Sequence, residues 1–477
     1  MQVPSVVVTH PSYLTEMVDE ITKRDWRAQS FTPALVQLAN AATLPGAVSH
    51  AVGLPDMHAG YGFAIGNVVA TAMPNQSHPE GVICPGGIGF DINCGVRVIK
   101  TSLRKSDLTR EIKERLAQEL FTTTLPGINR KGLVPLSDNA MLDDVLSRGM
   151  GWAVENGYAW EEDLARCEDQ GCIRDCSAAL VSSRAKKRGI RQLGTLGTGN
   201  HYLEVQVVDE ILDQSAASAY GLNLDQVVIM LHCGSRGLGH QVASEAVCAM
   251  ESAMTQENRI MNDIQLSCAP ISSTVGMEYF QAMNAAANFA FANRSCLTYF
   301  VRKAFENVFE QSADDLEMSV LYDVAHNIAK REEHVVNGRP VDLMVHRKGA
   351  TRSFAPYHED VPVEYQSTGQ PVLVGGSMGT KSWILKGTAC AMDLTFGTTC
   401  HGAGRAQSRS SARKKDWREV MQDLERQEIS IRVTEPKHIS EESPEAYKDV
   451  NNVVDVCHSV GISEKVARLQ PIAVVKG

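Results

Sequence analysis

Short glycine-rich or polar windows follow apolar, β-branched runs at several points of this 477-residue chain. Residues 227–231 (VVIML) lead into HCGSRGLG, 371–374 (PVLV) into GGSMG, and 319–322 (SVLY) into DVAHN. An apolar run of this length that ends at a glycine or polar cluster is typical of a buried strand. The sequence therefore predicts several buried strands, each with a polar loop at its carboxyl end.

Glycine is concentrated in five windows, which together hold sixteen of the chain's 37 glycines. These windows are 86–95, 194–199, 234–239, 375–379 and 397–404. Ordinary turns would explain any one of them. Glycine also permits positive φ and lets backbone N–H groups approach a bound ligand closely. Their number therefore favours ligand-binding loops.

Helical segments separate the predicted strands. The clearest is 277–309, rich in alanine, methionine and aromatic residues, which predicts a helix packed in the core rather than a cofactor site. Residues 417–426 predict an amphipathic helix. No internal repeat or Pro/Ser-rich linker divides the chain. We therefore predict an α+β fold in which 1–477 form one interlocked unit, with mixed β-sheets flanked by helices.

The charge of the chain is acidic overall, with 46 Lys and Arg against 56 Asp and Glu, a net charge of −10. This balance argues against a general nucleic-acid coat protein. Two windows are nevertheless basic: 184–191 holds five basic residues and no acid, and 405–418 holds six with one acid. Solvated surfaces explain most isolated charge runs, whereas a phosphate-binding role requires catalytic groups nearby.

Membrane and secretory classes are not indicated. No apolar run approaches the ~18 residues of a membrane span, and the first residues lack a basic segment followed by an apolar one. Twelve cysteines in 477 residues are too sparse for a disulfide scaffold. We expect a reducing compartment, cytoplasmic and/or nuclear, and no membrane partner.

Side chains that can bind a metal ion occur in or beside the polar loops. They are Asp91, Cys94, His201, His232, His326 and His401. A single histidine is more often an ordinary polar residue, but this coincidence favours an assembled site. The donors suit zinc, manganese, iron or cobalt, and residue chemistry alone does not choose among them. Five or six ligands exceed one tetrahedral site, so two centres are expected.

Two other motifs offer weaker alternatives. Cys167, Cys172 and Cys176 could hold structural zinc, but they lack the tight pairing of a zinc knuckle. GGSMG formally matches a nucleophile elbow around Ser377, but no HGGG-type oxyanion loop accompanies it. No Walker A or GxGxxG sequence occurs, so any nucleotide is held in another way.

Nine ordered motifs resemble the RtcB family of RNA ligases, most closely its eukaryotic-type members, the catalytic subunits of the tRNA-splicing ligase. They are GLPDMHAGYGFAIGN, GGIGFDINCGVR, LGTGNHYLE, HCGSRGLGHQV, YDVAHNIAK, HRKGATR, GGSMGT, TTCHGAGRAQSR and PIAVVKG. They run from about residue 53 to the last residue. Residues 155–190 are less similar and are a candidate insertion in an otherwise RtcB-like fold.

The resemblance implies a GTP- and manganese-dependent ligase. Such enzymes join a 2′,3′-cyclic phosphate or 3′-phosphate RNA end to a 5′-hydroxyl end. His401 resembles the histidine that becomes guanylylated. Asp91, Cys94 and His201 would hold one Mn²⁺, and Cys94, His232 and His326 the other. The implied partners are RNA (tRNA exon halves and broken ends), GTP, an archease-type activator and other tRNA-ligase subunits.

Further site residues follow from the same motifs. The nucleotide-binding set is Asn200, His201, Tyr202, Leu203, Glu204, His326, Asn327, Gly375, Gly376, Ser377, Met378, Ser382, His401, Gly402, Ala403, Gly404 and Lys476. The candidate RNA contacts are Arg236, Lys348, Arg352, Arg405, Arg409 and Arg413, the last three within a basic RNA-facing segment at 405–418. The chain could alternatively be a metal-dependent RNA-end phosphoesterase or a non-catalytic RNA-binding scaffold subunit.

Overall fold

Strands and helices are interleaved along the chain in the computed structural model, which describes residues 2–22, 32–74, 81–124, 126–127 and 131–477. The strands are β1 (Ser5–Val7), β2 (Ala51–His58), β3 (Ile65–Ala72), β4 (Val82–Ile83), β5 (Gly95–Arg104), β6 (Tyr202–Ile211), β7 (Gln226–Cys233), β8 (Ala269–Pro270), β9 (Val320–Ala325), β10 (Asn327–Val336), β11 (Arg339–Lys348), β12 (Ala350–Arg352), β13 (Pro371–Val374), β14 (Ser382–Lys386), β15 (Thr398–Cys400), β16 (Ser430–Val433) and β17 (Glu464–Lys476). The three predicted strands are confirmed as β7, β9 and β13.

The α-helices are α1 (Pro11–Thr22), α2 (Ala34–Ala41), α3 (Arg110–Thr124), α4 (Asn139–Arg148), α5 (Met150–Glu155), α6 (Ser183–Gly189), α7 (Gln214–Tyr220), α8 (Arg236–Gln256), α9 (Thr274–Phe309), α10 (Ala389–Thr395), α11 (Arg409–Ala412), α12 (Trp417–Arg426) and α13 (Val450–Val460). Short 3-10 helices occupy Pro85–Gly87, Lys105–Asp107, Glu161–Arg166, Glu168–Gly171, Ala178–Leu180, Ile264–Leu266, Val363–Tyr365, Pro436–Glu442 and Pro444–Ala446. The predicted helices at 277–309 and 417–426 are confirmed as α9 and α12.

Two mixed sheets organise the strands. The larger sheet has the order β13-β14-β17-β6-β7-β5-β9, with β16 added in parallel to β17. The second sheet has the order β1-β2-β3-β11-β10, in which only the β1–β2 pair is parallel. Predominantly antiparallel sheets with separate helices are an α+β arrangement, and the predicted fold class is confirmed.

Antiparallel pairing in the larger sheet brings four loops to one edge. Gly95, at the start of β5, is opposite Cys233 at the end of β7 and Ala325 at the end of β9. Tyr202, at the start of β6, is opposite His232. Antiparallel neighbours alternate in direction, so the amino ends of β5 and β6 meet the carboxyl ends of β7 and β9. The residues next to these strand ends therefore converge.

Helix α9 packs in the core against the larger sheet. The Ser273 side chain accepts a hydrogen bond from the Gly276 amide at 3.1 Å and caps its amino end. Residues 282–298 are buried without interruption. A helix that is buried on nearly every face belongs in a core. This confirms the predicted packing role of the segment.

A fully buried charge network joins α9 to the sheet. Asp323 of β9 accepts hydrogen bonds from Arg97 of β5 at 2.7 Å and from Arg294 of α9 at 2.8 Å. Arg294 also donates to the carbonyl oxygens of Asn93 and Cys233, at 2.8 and 3.0 Å. The network thereby ties α9 to the two loops that carry Cys94 and His232.

The segment 155–190 is anchored by buried ion pairs. Asp163 accepts from Arg302 of α9 at 2.8 Å, and Glu168 accepts from Lys330 of β10 at 2.5 Å. Unpaired buried charges are costly, so these pairs fix the position of the segment. Whether it is an insertion relative to the family stays a prediction.

Candidate active site

A cavity of about 1060 Å³ lies where the four strand-end loops meet. It is bordered by most of the residues that the sequence assigned to a site. These are Asp91, Cys94, Asn200, Tyr202, His232, His326, Asn327, Lys348, Gly375, Gly376, Ser377, Met378, His401, Gly402, Ala403, Gly404, Arg405, Arg409 and Lys476.

The thiol of Cys94 lies between two groups of metal-binding side chains. Its Sγ is 3.4 Å from Nε2 of His201 and 3.2 Å from Nε2 of His232. Asp91 Oδ2 is 2.7 Å from His201 Nε2, and His326 Nε2 is 3.2 Å from His232 Nε2. Within each group the potential ligand atoms lie within 4.8 Å of one another. The structure thus brings all five predicted ligands together, with Cys94 common to both groups.

Burial makes this cluster unfavourable without a cation. Desolvation, with the nearby charge of Asp91, raises the pKa of the Cys94 thiol to about 12. Desolvation and neighbouring imidazoles hold the pKa values of His232 and His326 well below their usual range. A divalent cation favours thiolate over thiol and binds neutral imidazole. The Cys94 thiol and these two imidazoles therefore fit a divalent ion better than protons. At His201 burial lowers the pKa, but the neighbouring thiols and Asp91 raise it well above its usual range, so a cation there would have to displace a proton.

A hydrogen bond from Nδ1 to a backbone carbonyl orients the ring of His201. Its Nδ1 lies 3.0 Å from the carbonyl oxygen of Leu196, which can only accept a hydrogen bond. Nδ1 therefore carries a proton, and in the neutral ring Nε2 has the lone pair that faces Asp91 and Cys94. A second hydrogen bond of this kind is the usual support of a metal-binding histidine.

Near the metal-binding cluster, His401 is held by a buried carboxylate. The His401 ring centroid is 4.9 Å from that of His326. Its Nδ1 lies 2.6 Å from Oδ2 of Asp56, which also accepts from the His401 backbone amide at 3.0 Å. Asp56 is fully buried. Nδ1 is thus occupied, which leaves Nε2 as the free ring nitrogen in the cavity.

Glycine is required where the His401 loop packs on the Asp56 segment. Gly404 has a φ of +70°, and a Cβ there would lie 2.1 Å from the Asp56 carbonyl oxygen. Lys448 fixes the same segment by donating to the carbonyl oxygens of Pro55 and Met57, at 3.1 and 2.7 Å. The His401 loop and the Asp56 segment therefore form one rigid unit.

A second glycine loop, residues 375–379, packs beside the His401 loop in the wall of the cavity. Gly375 pairs with Gly402, and the Ala403 amide donates to the Gly375 carbonyl at 3.1 Å. Behind this loop, Ser382 Oγ accepts from the Gly376 amide at 3.1 Å and from Gln206 Nε2 at 3.0 Å. Ser382 therefore supports the loop from beneath.

Some predicted nucleotide-binding residues do not border the main cavity. Leu203, Glu204 and Ser382 are buried behind its wall, and burial raises the pKa of Glu204 to about 7. His201 borders a second cavity of about 550 Å³, together with Arg236 and Arg413.

Two predicted RNA contacts have other partners. Arg352 is 2% exposed and forms an ion pair with buried Glu168 at 3.4 Å, so its guanidinium does not border either cavity. It stabilises the interior instead. Lys348 borders the main cavity, but its ammonium donates to the carbonyl oxygens of Tyr61, Phe63 and Gly86. Those bonds use all three of its hydrogens.

The basic segment at 405–418 is partly neutralised by acidic residues that follow it in the chain. Arg413 donates to Glu441 at 2.7 Å, and Lys415 donates to Glu445 at 2.6 Å. Arg409 lies 3.6 Å from Glu442, a residue that Lys476 also approaches at 3.5 Å. The net positive charge that the segment 405–418 presents at the surface is therefore smaller than its composition suggests.

The two weaker alternatives gain no support in the described part of the chain. Neither metal-ligand group includes Cys167, Cys172 or Cys176. Ser377 Oγ lies 3.1 Å from the hydroxyl of Thr380, and among the described residues no histidine forms a hydrogen bond with it. A serine nucleophile needs a base within hydrogen-bond reach.

Asp56 and Lys448 are site residues that the sequence did not reveal. Asp56 lies in a strand, within GLPDMH, without a glycine or histidine beside it to mark it. Its motif, GLPDMHAGYGFAIGN, is one of the nine that resemble the RtcB family, and that resemblance alone marks the residue in the sequence.

Comparison with known families agrees with the motifs. Among the residues that the structure describes, no helix combines the length and apolar character needed to cross a lipid bilayer. The sequence model of the family described as tRNA-splicing ligase RtcB matches residues 37–477, nearly the whole chain. The protein therefore belongs to the RtcB family of tRNA-splicing ligases.

Proposed function

We propose that the protein is a GTP-dependent RNA ligase that works through a guanylylated His401. It would join a 2′,3′-cyclic phosphate or 3′-phosphate RNA end to a 5′-hydroxyl end. The observation that carries this proposal is the buried Asp56 carboxylate on Nδ1 of His401, which leaves Nε2 free beside the two metal-ligand groups. Family membership supports RNA ligation in general.

The residues fit two divalent ions, which we propose to be Mn²⁺. Asp91, Cys94 and His201 would hold one, and Cys94, His232 and His326 the other, with the thiolate shared. When bound, the ions would neutralise phosphate charge and orient an in-line displacement. Soft thiolate and hard carboxylate in one donor set agree with manganese but also with zinc, so metal identity is part of the proposal.

In the first step, the His401 Nε2 lone pair attacks the α-phosphorus of GTP. An N–P bond forms, the bond to the β-phosphate oxygen breaks, and pyrophosphate leaves. The Nδ1 proton stays on the ring, and Asp56 stabilises the positive charge that develops there. The phosphoramidate product retains high transfer potential, as a nucleotidyl carrier requires.

In the second step, an oxygen of the RNA 3′-phosphate attacks the phosphorus on His401 and displaces Nε2. A cyclic phosphate end must first add water to give the 3′-phosphate. In the third step, the 5′-hydroxyl oxygen attacks the RNA 3′-phosphorus, GMP leaves, and the hydroxyl proton is lost. The result is a 3′,5′-phosphodiester.

The cavity wall supplies phosphate-binding groups for these steps. Gly402 and Gly404 lie in the His401 loop, and glycine backbone can approach a phosphate closely. Lys476 lines the main cavity and is 6% exposed, and its ammonium would neutralise phosphate charge there. An archease-type activator, other ligase subunits and the cytoplasmic and/or nuclear location stay predictions from the resemblance.

A joining assay with defined ends tests the proposal. One RNA strand carries a 2′,3′-cyclic phosphate or 3′-phosphate, and the other carries a 5′-hydroxyl or, as control, a 5′-phosphate. We expect a joined product only with the 5′-hydroxyl strand, and only with GTP and a divalent metal. Loss of the terminal phosphate without joining would instead support the phosphoesterase.

A further inference from the structure

The two basic windows of the sequence meet at one place in the structure. Arg188 of α6 belongs to the window 184–191, and Arg409 and Arg413 belong to 405–418. All three border the second cavity, together with Arg236. The metal-ligand candidates Asp91 and His201 border it as well. Basic residues far apart in the chain therefore converge beside the chemistry.

Part of this positive charge has no carboxylate partner. Arg409 and Arg413 are paired with Glu441 and Glu442, as described above. Among the described residues, in contrast, no carboxylate lies within 4.0 Å of Arg188 or Arg236. Arg188 donates to the Gln241 amide oxygen at 2.9 Å, and Arg236 donates to the Thr195 hydroxyl at 3.3 Å. Their charge is available for an anionic ligand such as a phosphate chain.

An aromatic stack lies at the junction of the two cavities. The rings of Phe90 and His240 are stacked, with centroids 5.0 Å apart and planes at 27°. Tyr61 meets Phe90 edge-on, at 5.2 Å. Tyr61 and Phe90 border the main cavity, whereas His240 borders the second and is exposed. Phe90 also directly precedes Asp91, so the stack adjoins the metal-binding cluster.

These features together match the chemistry of unpaired nucleic acid. A site for phosphate alone would not need stacked rings. A site for an apolar ligand would not need two guanidinium groups that lack carboxylate partners. Single-stranded RNA combines a polyanionic backbone with exposed base faces, and its binding sites pair cationic grooves with aromatic platforms. A continuous duplex would not present a free base face to the stack.

We propose that the junction binds a single-stranded RNA end, with one nucleobase extending the Phe90–His240 stack at exposed His240 and its phosphates against Arg188 and Arg236. This inference rests on the proposed ligase function, because it names how an RNA end reaches the metal-binding cluster. It assigns a substrate-binding role to Arg188 of the window 184–191. It also requires at least one unpaired nucleotide at an end that is joined.

Fluorescence of 2-aminopurine tests the stack directly. Two RNA strands carry this base at the terminal nucleotide, one at a 3′-phosphate end and one at a 5′-hydroxyl end, with Mn²⁺ and without GTP. Stacking quenches its emission, so we expect quenching of at least one strand by the wild-type protein. His240→Ala should reduce quenching and weaken affinity roughly tenfold, the scale of one stacked base. His240→Phe should restore both.

Controls separate the stack from general surface effects. Tyr357→Ala removes a ring that is 78% exposed and borders neither cavity, and it should leave quenching unchanged. Phe90→Leu should behave like His240→Ala if it folds; His240, being exposed, gives the decisive variant. No quenching in the wild type, unchanged quenching in His240→Ala, or equal losses in His240→Ala and His240→Phe would overturn the proposal.

The salt dependence of binding tests the phosphate contacts. Arg188→Gln should lower the slope of log affinity against log salt by about 0.7, the value for one phosphate contact on a single strand. Lys187→Gln, a neighbour on α6 that borders neither cavity, is the matched control and should leave it unchanged. Equal slopes for Arg188→Gln and wild type would overturn the assignment of Arg188. Because GTP is absent, failure of guanylylation would leave these results standing.

Discussion

The buried carboxylate of Asp56 lies 2.6 Å from Nδ1 of His401 and also accepts a hydrogen bond from the His401 backbone amide. One side chain thereby fixes both the ring orientation and the tautomer of the histidine. A carboxylate so placed stabilises a developing imidazolium without taking its proton. This pair connects the fold of β2 to the chemistry proposed for the cavity.

Replacement of Asp56 should show what its carboxylate contributes while the nucleophile, His401, remains in place. We expect Asp56→Asn to slow guanylylation of the protein by roughly 10²–10⁴-fold, because an amide cannot stabilise the imidazolium as a carboxylate does. The measurement is the initial rate of label transfer from α-labelled GTP to folded protein.

A buried aspartate outside the cavity gives the matched control. Asp163 is 1% exposed and paired with Arg302, so Asp163→Asn should lower stability without changing the labelling rate per folded molecule. Equal labelling rates for Asp56→Asn and wild type would contradict the role assigned to Asp56.

The shared position of Cys94 predicts an asymmetry in metal binding. Cys94→Ala should weaken both metal sites by at least roughly 10–100-fold, because loss of a mere supporting group already costs that much. His201→Ala should weaken only one site. Titration with Mn²⁺, followed by electron paramagnetic resonance, counts the bound ions. Cys248→Ala, at an exposed cysteine outside both groups, is the control. Two intact sites in Cys94→Ala would show that the thiol is not shared.

The charge network around Asp323 should carry much of the stability of the site. Asp323→Ala leaves two buried guanidinium groups unpaired, and we expect it to lower the free energy of unfolding by about 3–5 kcal/mol. Urea unfolding measures this change. Glu364→Ala breaks a partly exposed pair with Arg166 and should cost less than about 1 kcal/mol. Similar losses in the two variants would argue against the network.

Acid should destabilise the fold through the same carboxylate. Burial opposes ionisation of Asp323, but Arg294 and Arg97 hold its pKa below its usual range. Below the ordinary aspartate value of about 3.9, the unfolded chain therefore binds more protons than the folded one, and stability falls as pH falls. Urea unfolding between about pH 2.5 and 5 should show a shallower slope for Asp323→Asn. An unchanged slope for Asp323→Asn would refute this account.

The metal-ligand candidates could be predicted because each stands at the end of a strand or in the polar loop beside one. Sheet pairing then brings Cys94, His201, His232 and His326 to one edge, a consequence of strand order and direction that the local patterns did not supply. Local patterns could not supply Asp56, because its partner is 345 residues away and only packing unites them.

The basic residues of the sequence are a poorer guide to ligand contacts than the polar loops are to the metal-ligand candidates. Arg352 stands in a motif with basic neighbours, yet Glu168 and the core enclose it. Arg409 and Arg413 have acidic partners from a 3-10 helix more than 25 residues away. Which cations remain free for a ligand depends on such tertiary pairing, and Arg188 became evident only in the folded chain.

Guanylylation of His401 tests the central claim most directly. The protein is incubated with α-labelled GTP and Mn²⁺, denatured, and examined for a covalent label that is acid-labile and base-stable, as a phosphoramidate is. We predict such a label on the wild-type protein and its loss in His401→Ala. No label on the wild type, or an undiminished label in His401→Ala, would contradict the account.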